Sequence, residues 1–247
     1  MEDHQLRTRK SYEHSYVRSL FDTIAHRYDF LNHFLSSGLD ILWRRKAISL
    51  LLKKRPKTIL DVATGTGDFA LAAVRLNPQK IIGIDPSSKM IEIGRVKIRK
   101  KNLVSLISFL TGQAEQLPFP DASFDAALVA FGVRNFSSLT QGLSEMARIL
   151  KPDGTAIIIE FSHPRNRFIS KAYTLYSRWW LPFAGGLISG NRDAYRYLPE
   201  TVAEFPDGER FAEIVRSSGF IRIAIHPLTF GIVTIYEATK AKEICSH

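Results

Sequence analysis

The sequence predicts a doubly wound α/β domain whose seven-stranded sheet ends on an antiparallel strand, with helices ahead of the first strand and a helical insertion after the fifth. Three observations carry this. Short β-branched or apolar runs alternate with segments of helical periodicity between residues 57 and 161. The run at 57–69, KTILDVATGTGDF, breaks from an apolar strand into Thr-Gly-Thr-Gly and resumes at helical spacing. The chain then closes with two consecutive strands and no crossover between them, as a hairpin with its last strand antiparallel requires.

Taken in order, residues 1–14 are polar and read as a flexible arm. Leu20, Phe21, Ile24, Ala25, Tyr28, Leu31 and Leu35 recur at helical spacing, Ser36-Ser37-Gly38 interrupts them, and a second helix over 41–52 ends before Pro56. The strands that follow are expected at 59–62, 80–85, 104–110, 124–131 and 156–161. Between them lie helices from Phe69, over 87–99 with Ser87 as N-cap, and over 139–150, the last stopped by Lys151-Pro152-Asp153-Gly154. Residues 164–198 leave the alternation. There Ile169, Ala172, Tyr173, Tyr176, Trp179, Trp180 and Phe183 share one helical face and Arg167, Lys171 and Arg178 the other, a pattern that fits packing on the core, closing over an apolar substrate as a lid, or lying on an anionic bilayer. Asp207 is expected to cap a helix to Ser217, and strands over 220–226 and 232–238 close one domain of 247 residues.

The junction at 57–69 is a cofactor site in pattern. Gly65-x-Gly67-x-x-Ala70 fits the dinucleotide fingerprint, and Asp85 closes the next strand where a ribose-binding carboxylate belongs. Asp61 and Asp68 flank the same turn, however, and would repel a pyrophosphate. A cofactor bearing an ammonium and a sulfonium is attracted instead, which favours S-adenosylmethionine over a nicotinamide dinucleotide or an empty glycine turn. Ligands of such sheets bind beyond the carboxyl ends of the strands, which selects Ala130, Arg134 and Asn135 after strand four and Glu160 to His163 after strand five.

Composition narrows the classes. Hydrophobic residues at 45% and charged residues at 23% are those of a globular domain. One cysteine, Cys245, excludes an intrachain disulfide and points to a reducing compartment. With no signal-like apolar region and no run of membrane-spanning length, a cytoplasmic protein is expected. The net charge of +10 concentrates in two clusters, Arg44 to Lys57 and Arg95 to Lys101. Solvated helix faces account for these as well as an anionic bilayer or nucleic acid does.

Several segments resemble a known family. LDVATGTGD at 60–68, GID at 83–85, LPFPDASFD at 117–125, FGVRN at 131–135 and RILKPDG at 148–154 are similar to class I S-adenosylmethionine methyltransferases, whose sheet is Rossmann-like. YDFLN at 28–32, EFSHP at 160–164, Asp193 and YRYLPET at 195–201 resemble more narrowly the quinone C-methyltransferases that act on demethylmenaquinol and, in some bacteria, on the ubiquinone precursor. The resemblance implies methylation of a reduced isoprenoid quinone as the last step of menaquinone biosynthesis. It places Asp61, Gly65, Thr66, Gly67, Asp85, Gln113, Ala114 and Ala130 around S-adenosylmethionine, and Tyr28, Arg134, Asn135 and Asp193 around the quinol. Neither a metal nor nucleic acid is required. Gln113 stands where the family often has Asp or Asn, Ala130 replaces a common serine, and Tyr236 stands where many relatives carry histidine.

Ring methylation needs electron density on the carbon, which a quinol supplies once its hydroxyl is deprotonated. Arg134 is expected to favour that phenolate, and no residue stands out as the base. An isoprenoid tail would account for the 173–183 face and the basic surface together, through peripheral contact at the inner face of an anionic membrane. The sequence leaves open a homodimer and the choice between naphthoquinol and benzoquinol. Tyr236 and Lys240 have the spacing of an oxidoreductase Tyr-x-x-x-Lys pair, but in a strand positions four apart lie about 13 Å apart. An RNA-associated methyltransferase is motivated by charge alone.

Overall fold

The structure, a computed structural model, describes residues 36–176 and 201–242 together with residues 23, 29 and 33. Tyr28, Asp193, Cys245, the arm at 1–14 and the second half of the 164–198 insertion lie outside the described residues.

Seven strands form one sheet in the order β3-β2-β1-β4-β5-β7-β6. They are β1 (Thr58–Val62), β2 (Lys80–Asp85), β3 (Ile107–Thr111), β4 (Phe124–Ala130), β5 (Leu150–Phe161), β6 (Phe220–Leu228) and β7 (Val233–Lys240). β1 to β5 run parallel, while β7 inserts antiparallel between β5 and β6. The sequence change from helix-linked strands to a terminal hairpin is therefore a change of pairing sense.

Helices α1 (Leu39–Leu51), α2 (Asp68–Ala73) and α3 (Ser88–Lys100) cover one face, and α4 (Leu139–Ile149) and α6 (Gly208–Ser217) the other; α5 (Arg167–Leu175) begins the insertion. Each face has its own core, because side chains alternate along every strand. Ile157 and Ile159 pack with Trp43, Leu51, Phe69 and Ile98, whereas Ile158 packs with Leu143, Met146, Phe211 and Tyr236. Ser87 and Ser138 cap α3 and α4 by accepting from Met90 N–H and Gln141 N–H.

Three local expectations change. The Lys-Pro-Asp-Gly turn does not separate α4 from β5; Leu150 already pairs with Phe124 and Thr155 with Ala126, so residues 151–154 bulge out of a continuing strand, with Asp153 at φ 59°. β3 starts at Ile107 because residues 103–106 form a turn in which the amides of Leu106 and Ile107 reach the Leu103 carbonyl. Asp207 occupies the N-cap position of α6 without capping it, since its Oδ2 is taken by His163 N–H at 2.6 Å and lies 3.0 Å from His163 Nδ1.

At the amino end of the sheet Asp125 Oδ2 accepts from the amides of Lys57 and Thr58, both at 2.8 Å, and Lys151 Nζ donates to Oδ1 at 2.8 Å. Against the opposing effect of burial, these donors hold the Asp125 carboxyl below the usual carboxylate range. In the second core the Tyr236 hydroxyl accepts from Gly208 N–H at 2.7 Å while its ring meets Phe211 edge-on. Replacing Tyr236 by Phe orphans that amide. Tyr236→Phe is expected to cost about 1 kcal/mol, a fall in Tm of about 2–4 °C for a chain of this size, read by thermal melting.

Candidate active site

The glycine-rich turn after β1 is built on a buried carboxylate. Asp61, at the end of β1, is 1% exposed. Its Oδ2 accepts from the Thr64 hydroxyl at 2.5 Å and from Ala70 N–H at 2.9 Å, binding both sides of the turn to the strand. Burial pushes its pKa up to about 7 in spite of these donors. One strand over, Asp85 accepts from Gly65 N–H at 2.8 Å and from Ser87 N–H at 2.9 Å. The Asp85 carbonyl in turn accepts from Gly112 N–H, which places exposed Gln113 and buried Ala114 beside it. Gly67 has φ 87°, and a Cβ there would meet the Phe109 ring at 2.5 Å, so this glycine answers to packing as much as to ligand approach.

Asp68 does not face the turn as a free acid. Lys97 Nζ lies 2.6 Å from Asp68 Oδ1 and 2.5 Å from Asp29 Oδ2, and it also donates to Thr66 Oγ1. The Thr66 hydroxyl donates to Asp29 Oδ1. Lys97, read in sequence as part of a basic cluster, is thus an internal bridge from α3 to a helical residue ahead of α1. Arg44 is likewise internal, with Nη1 2.5 Å from Asp40 Oδ2. Burial opposes it, but His33, Ser36 and Arg44 together hold the Asp40 carboxyl low. Lys54, Arg55, Lys57, Lys151, Arg222 and Lys242 line a separate basic cleft around the bulge at the amino end of the sheet.

The turns after β1 and β4 touch. Ala63 and Phe131 both take left-handed backbone, at φ 51° and 58°, and a Cβ on Gly132 would come within 2.6 Å of the Ala63 Cβ. Strain of this kind concentrates where a scaffold holds chemistry in place. Beyond Ala130, Arg134 and Asn135 lie in a 3-10 turn, Val133–Asn135. Arg134 Nη1 donates to the Phe131 carbonyl at 2.6 Å and to Glu160 Oε1 at 2.7 Å, and the two side chains are 6% and 1% exposed. Burial raises the Glu160 pKa against the pull of Arg134. The Arg134 guanidinium also lies over the Phe161 ring, which packs 4.6 Å from Phe131 and 6.5 Å from Trp43.

The structure brings Asp61, Gly65, Thr66, Gly67, Asp85, Gln113, Ala114 and Ala130 to the carboxyl ends of β1 to β4, with Arg134 and Asn135 next to them. Glu160, which the sequence marks only as the end of a strand, proves to be the partner of Arg134. The EFSHP segment is its one sequence signal. Tyr236 and Lys240 share no proton path: the tyrosine hydroxyl is bonded to Gly208, and Lys240 Nζ donates to the carbonyls of Arg148 and Leu150. Around the turn four carboxyl groups gather: Asp29 and Asp68 are held by the Lys97 ammonium, and Asp61 and Asp85 accept from groups of the turn. Such a set of acceptors suits a ligand carrying positive charge and a diol, and fits S-adenosylmethionine better than a pyrophosphate.

The model of the ubiE/COQ5 methyltransferase family matches residues 9–240. The demethylmenaquinone methyltransferase of Bacteroides fragilis is 47% identical over 225 residues, covering 91% of this chain and 92% of that one. The ubiquinone/menaquinone biosynthesis C-methyltransferase UbiE of Geobacter sulfurreducens is 45% identical over 226 residues, covering 91% and 88%. Among solved structures, a SAM-dependent methyltransferase of Thermotoga maritima superposes with a TM-score of 0.63 at 23% identity over 90% of this chain and 98% of that one, a likeness of fold.

Asp61 links stability to pH. Its folded pKa, about 7, lies above the unfolded value of about 3.9. Between these values the native state therefore holds more protons, and stability falls as pH rises. In Asp61→Asn that slope is removed. The stability of the parent relative to this variant should be greatest below pH 4, decline by on the order of a few kcal/mol up to about pH 7, and stay level above, as read from urea denaturation across pH.

Proposed function

Because the chain belongs to the ubiE/COQ5 methyltransferase family, we propose that it transfers the methyl group of S-adenosylmethionine to a ring carbon of a reduced, demethylated isoprenoid quinone, with demethylmenaquinol as the principal substrate. The observation that carries the substrate is the near full-length identity of 47% to a demethylmenaquinone methyltransferase. The UbiE relative named for both quinones supports a second reading in which a benzoquinol precursor is also accepted.

The geometry supports this reading. Asp85 and the Gln113-Ala114 segment would hold the nucleoside, while Asp61 and the backbone at Gly65, Thr66 and Gly67 would hold the amino acid portion. Once bound, the cofactor supplies an electrophilic methyl group. Next to that place Phe131 and Phe161 form a partly exposed aromatic surface beside the Arg134 guanidinium. A flat ring with a hydroxyl that must lose a proton is suited to such a site: the aromatic groups exclude water and orient the ring, and the cation favours the phenolate. Asn135 follows Arg134, and Tyr28 and Asp193 complete the proposed headgroup contacts on the strength of the resemblance.

Residues 164–198 are proposed as the lid of a single domain. The described part, α5, turns Tyr173 inward and leaves Phe168 and Leu175 86% and 65% exposed beside Arg167 and Lys171. An outward face both basic and apolar fits shallow contact with an anionic bilayer, where a long isoprenoid tail resides. No helix among the described residues is long and apolar enough to cross a membrane, so access to such a tail would be peripheral.

Two measurements test this. Purified protein given methyl-labelled S-adenosylmethionine should label reduced demethylnaphthoquinol; label in demethylated benzoquinol as well would establish the dual substrate range, and label in neither would reject the quinone reading. Arg134→Ala should lower turnover by roughly 10²-fold or more. Full turnover at unchanged substrate affinity would remove Arg134 from the site. For the membrane contact, cosedimentation with vesicles rich in anionic lipid should fall in Phe168→Ser and Lys171→Glu, with no change in activity on a short-tailed quinol.

A further inference from the structure

Glu160 is anchored through one oxygen and open at the other. Oε1 accepts from Arg134 Nη1 at 2.7 Å and from its neighbour Phe161 N–H at 2.9 Å. Oε2, buried, finds no hydrogen-bond partner among the described residues, and neither does Arg134 Nε. The pair therefore presents one unused acceptor and one unused donor, each shielded from water. Leaving both unmade is costly, which makes this an unfavourable arrangement for a purely structural ion pair. A single hydroxyl group seated between them would satisfy both, its hydrogen donating to Oε2 and its oxygen accepting from Nε–H.

The neighbouring carboxylates are committed elsewhere. Asp61 and Asp85 hold the turn, and Asp29 and Asp68 hold Lys97. We propose that Glu160 Oε2 is the proton acceptor of the reaction and that Arg134 Nε–H donates to the oxygen the proton leaves. This rests on the quinol reading above and assigns the base which that reading lacks. The quinol O–H bond breaks, its proton passes to Oε2, and its electron pair is delocalised to the ring carbon. That carbon bonds the methyl group as the methyl–sulfur bond breaks and the electron pair of that bond stays on sulfur. The carbon then gives up its own hydrogen as a proton to water, restoring the aromatic ring. Glu160 returns its proton to the ring oxygen, so each turnover releases one proton and regenerates the carboxylate.

The groups near Glu160 allow its titration to be isolated. Among the described residues they are Arg134 from the turn after β4, Tyr173 from α5 and Tyr236 from β7. Burial raises Tyr173 to about 12 and Tyr236 higher still. Both stay neutral below pH 10. Asp61, raised to about 7, also titrates on the acid side, so the part of the acid limb that is present in the parent and missing in Glu160→Gln is the protonation of Glu160.

The test is the pH dependence of kcat for methyl transfer to reduced demethylnaphthoquinol in the parent, Glu160→Gln and Glu160→Asp, with cofactor affinity measured by calorimetry. Glu160→Gln is expected to lose 10²- to 10⁴-fold in kcat and to lack that part of the acid limb, while binding S-adenosylmethionine within about twofold of the parent. A quinol carrying an electron-withdrawing ring substituent, already ionised at the assay pH, should restore at least tenfold of the lost rate, which displacement of Arg134 alone would not allow. Should Glu160→Gln fail to fold, Glu160→Asp decides: shortening by one methylene is expected to lower kcat tenfold or more and keep the acid limb. A parent with no acid limb, or either folded variant with the parent kcat, overturns the assignment. A parent inactive on every quinol overturns instead the substrate reading on which it rests.

Discussion

One carboxylate oxygen, Asp61 Oδ2, ties together the parts on which the carboxyl end of the sheet depends. By accepting from the Thr64 hydroxyl and the Ala70 amide it fixes the turn and the start of α2 against β1. From the fixed turn, Gly65 N–H reaches Asp85 at the end of β2, and Thr66 reaches Asp29 ahead of α1. Such a buried acid is tolerated because hydrogen bonds replace its water, and its raised pKa reflects the burial that remains unbalanced.

Parallel pairing then divides the molecule by chemistry. The carboxyl ends of β1 to β5 converge on one edge, where the turns holding the positive-φ residues Ala63 and Phe131 meet and where Asp61, Asp85, Arg134 and Glu160 lie. At the opposite edge Asp125 pins β1 and β4 together, and the bulge of β5 forms one wall of the basic cleft. The net positive charge of the chain is therefore a poor guide to the candidate site, which is rich in acids.

The Arg134 and Glu160 pair illustrates a cost that stability alone does not explain. An ion pair this deeply buried is often no more stabilising than packed hydrophobic groups of the same volume, and this one leaves a donor and an acceptor unmade. Its setting among Phe131, Phe161 and Trp43 gives it apolar aromatic walls, which strengthen the interactions with a ring bound in the proposed site. Structure that is unfavourable to folding and favourable to binding is expected where an enzyme holds its substrate.

What the sequence determined by itself is local. The strand-turn-helix at 57–69, Asp85 closing β2, Ser87 capping α3 and the terminal hairpin follow from periodicity, glycine and capping chemistry within a few residues, and FGVRN put Arg134 at the right edge. Tertiary structure decided which charges are spent. Lys97 and Arg44 read as surface cations until Asp29, Asp68 and Asp40 came against them. Asp207 read as a cap until His163, 44 residues away, took its oxygen. The Lys-Pro-Asp-Gly turn became a bulge because β4 keeps pairing on both sides of it. Glu160 gained its meaning only from Arg134, 26 residues earlier in the chain. Backbone preference is set by near neighbours, whereas a charge is defined by the partner that folding delivers, and no spacing along the chain encodes that partner.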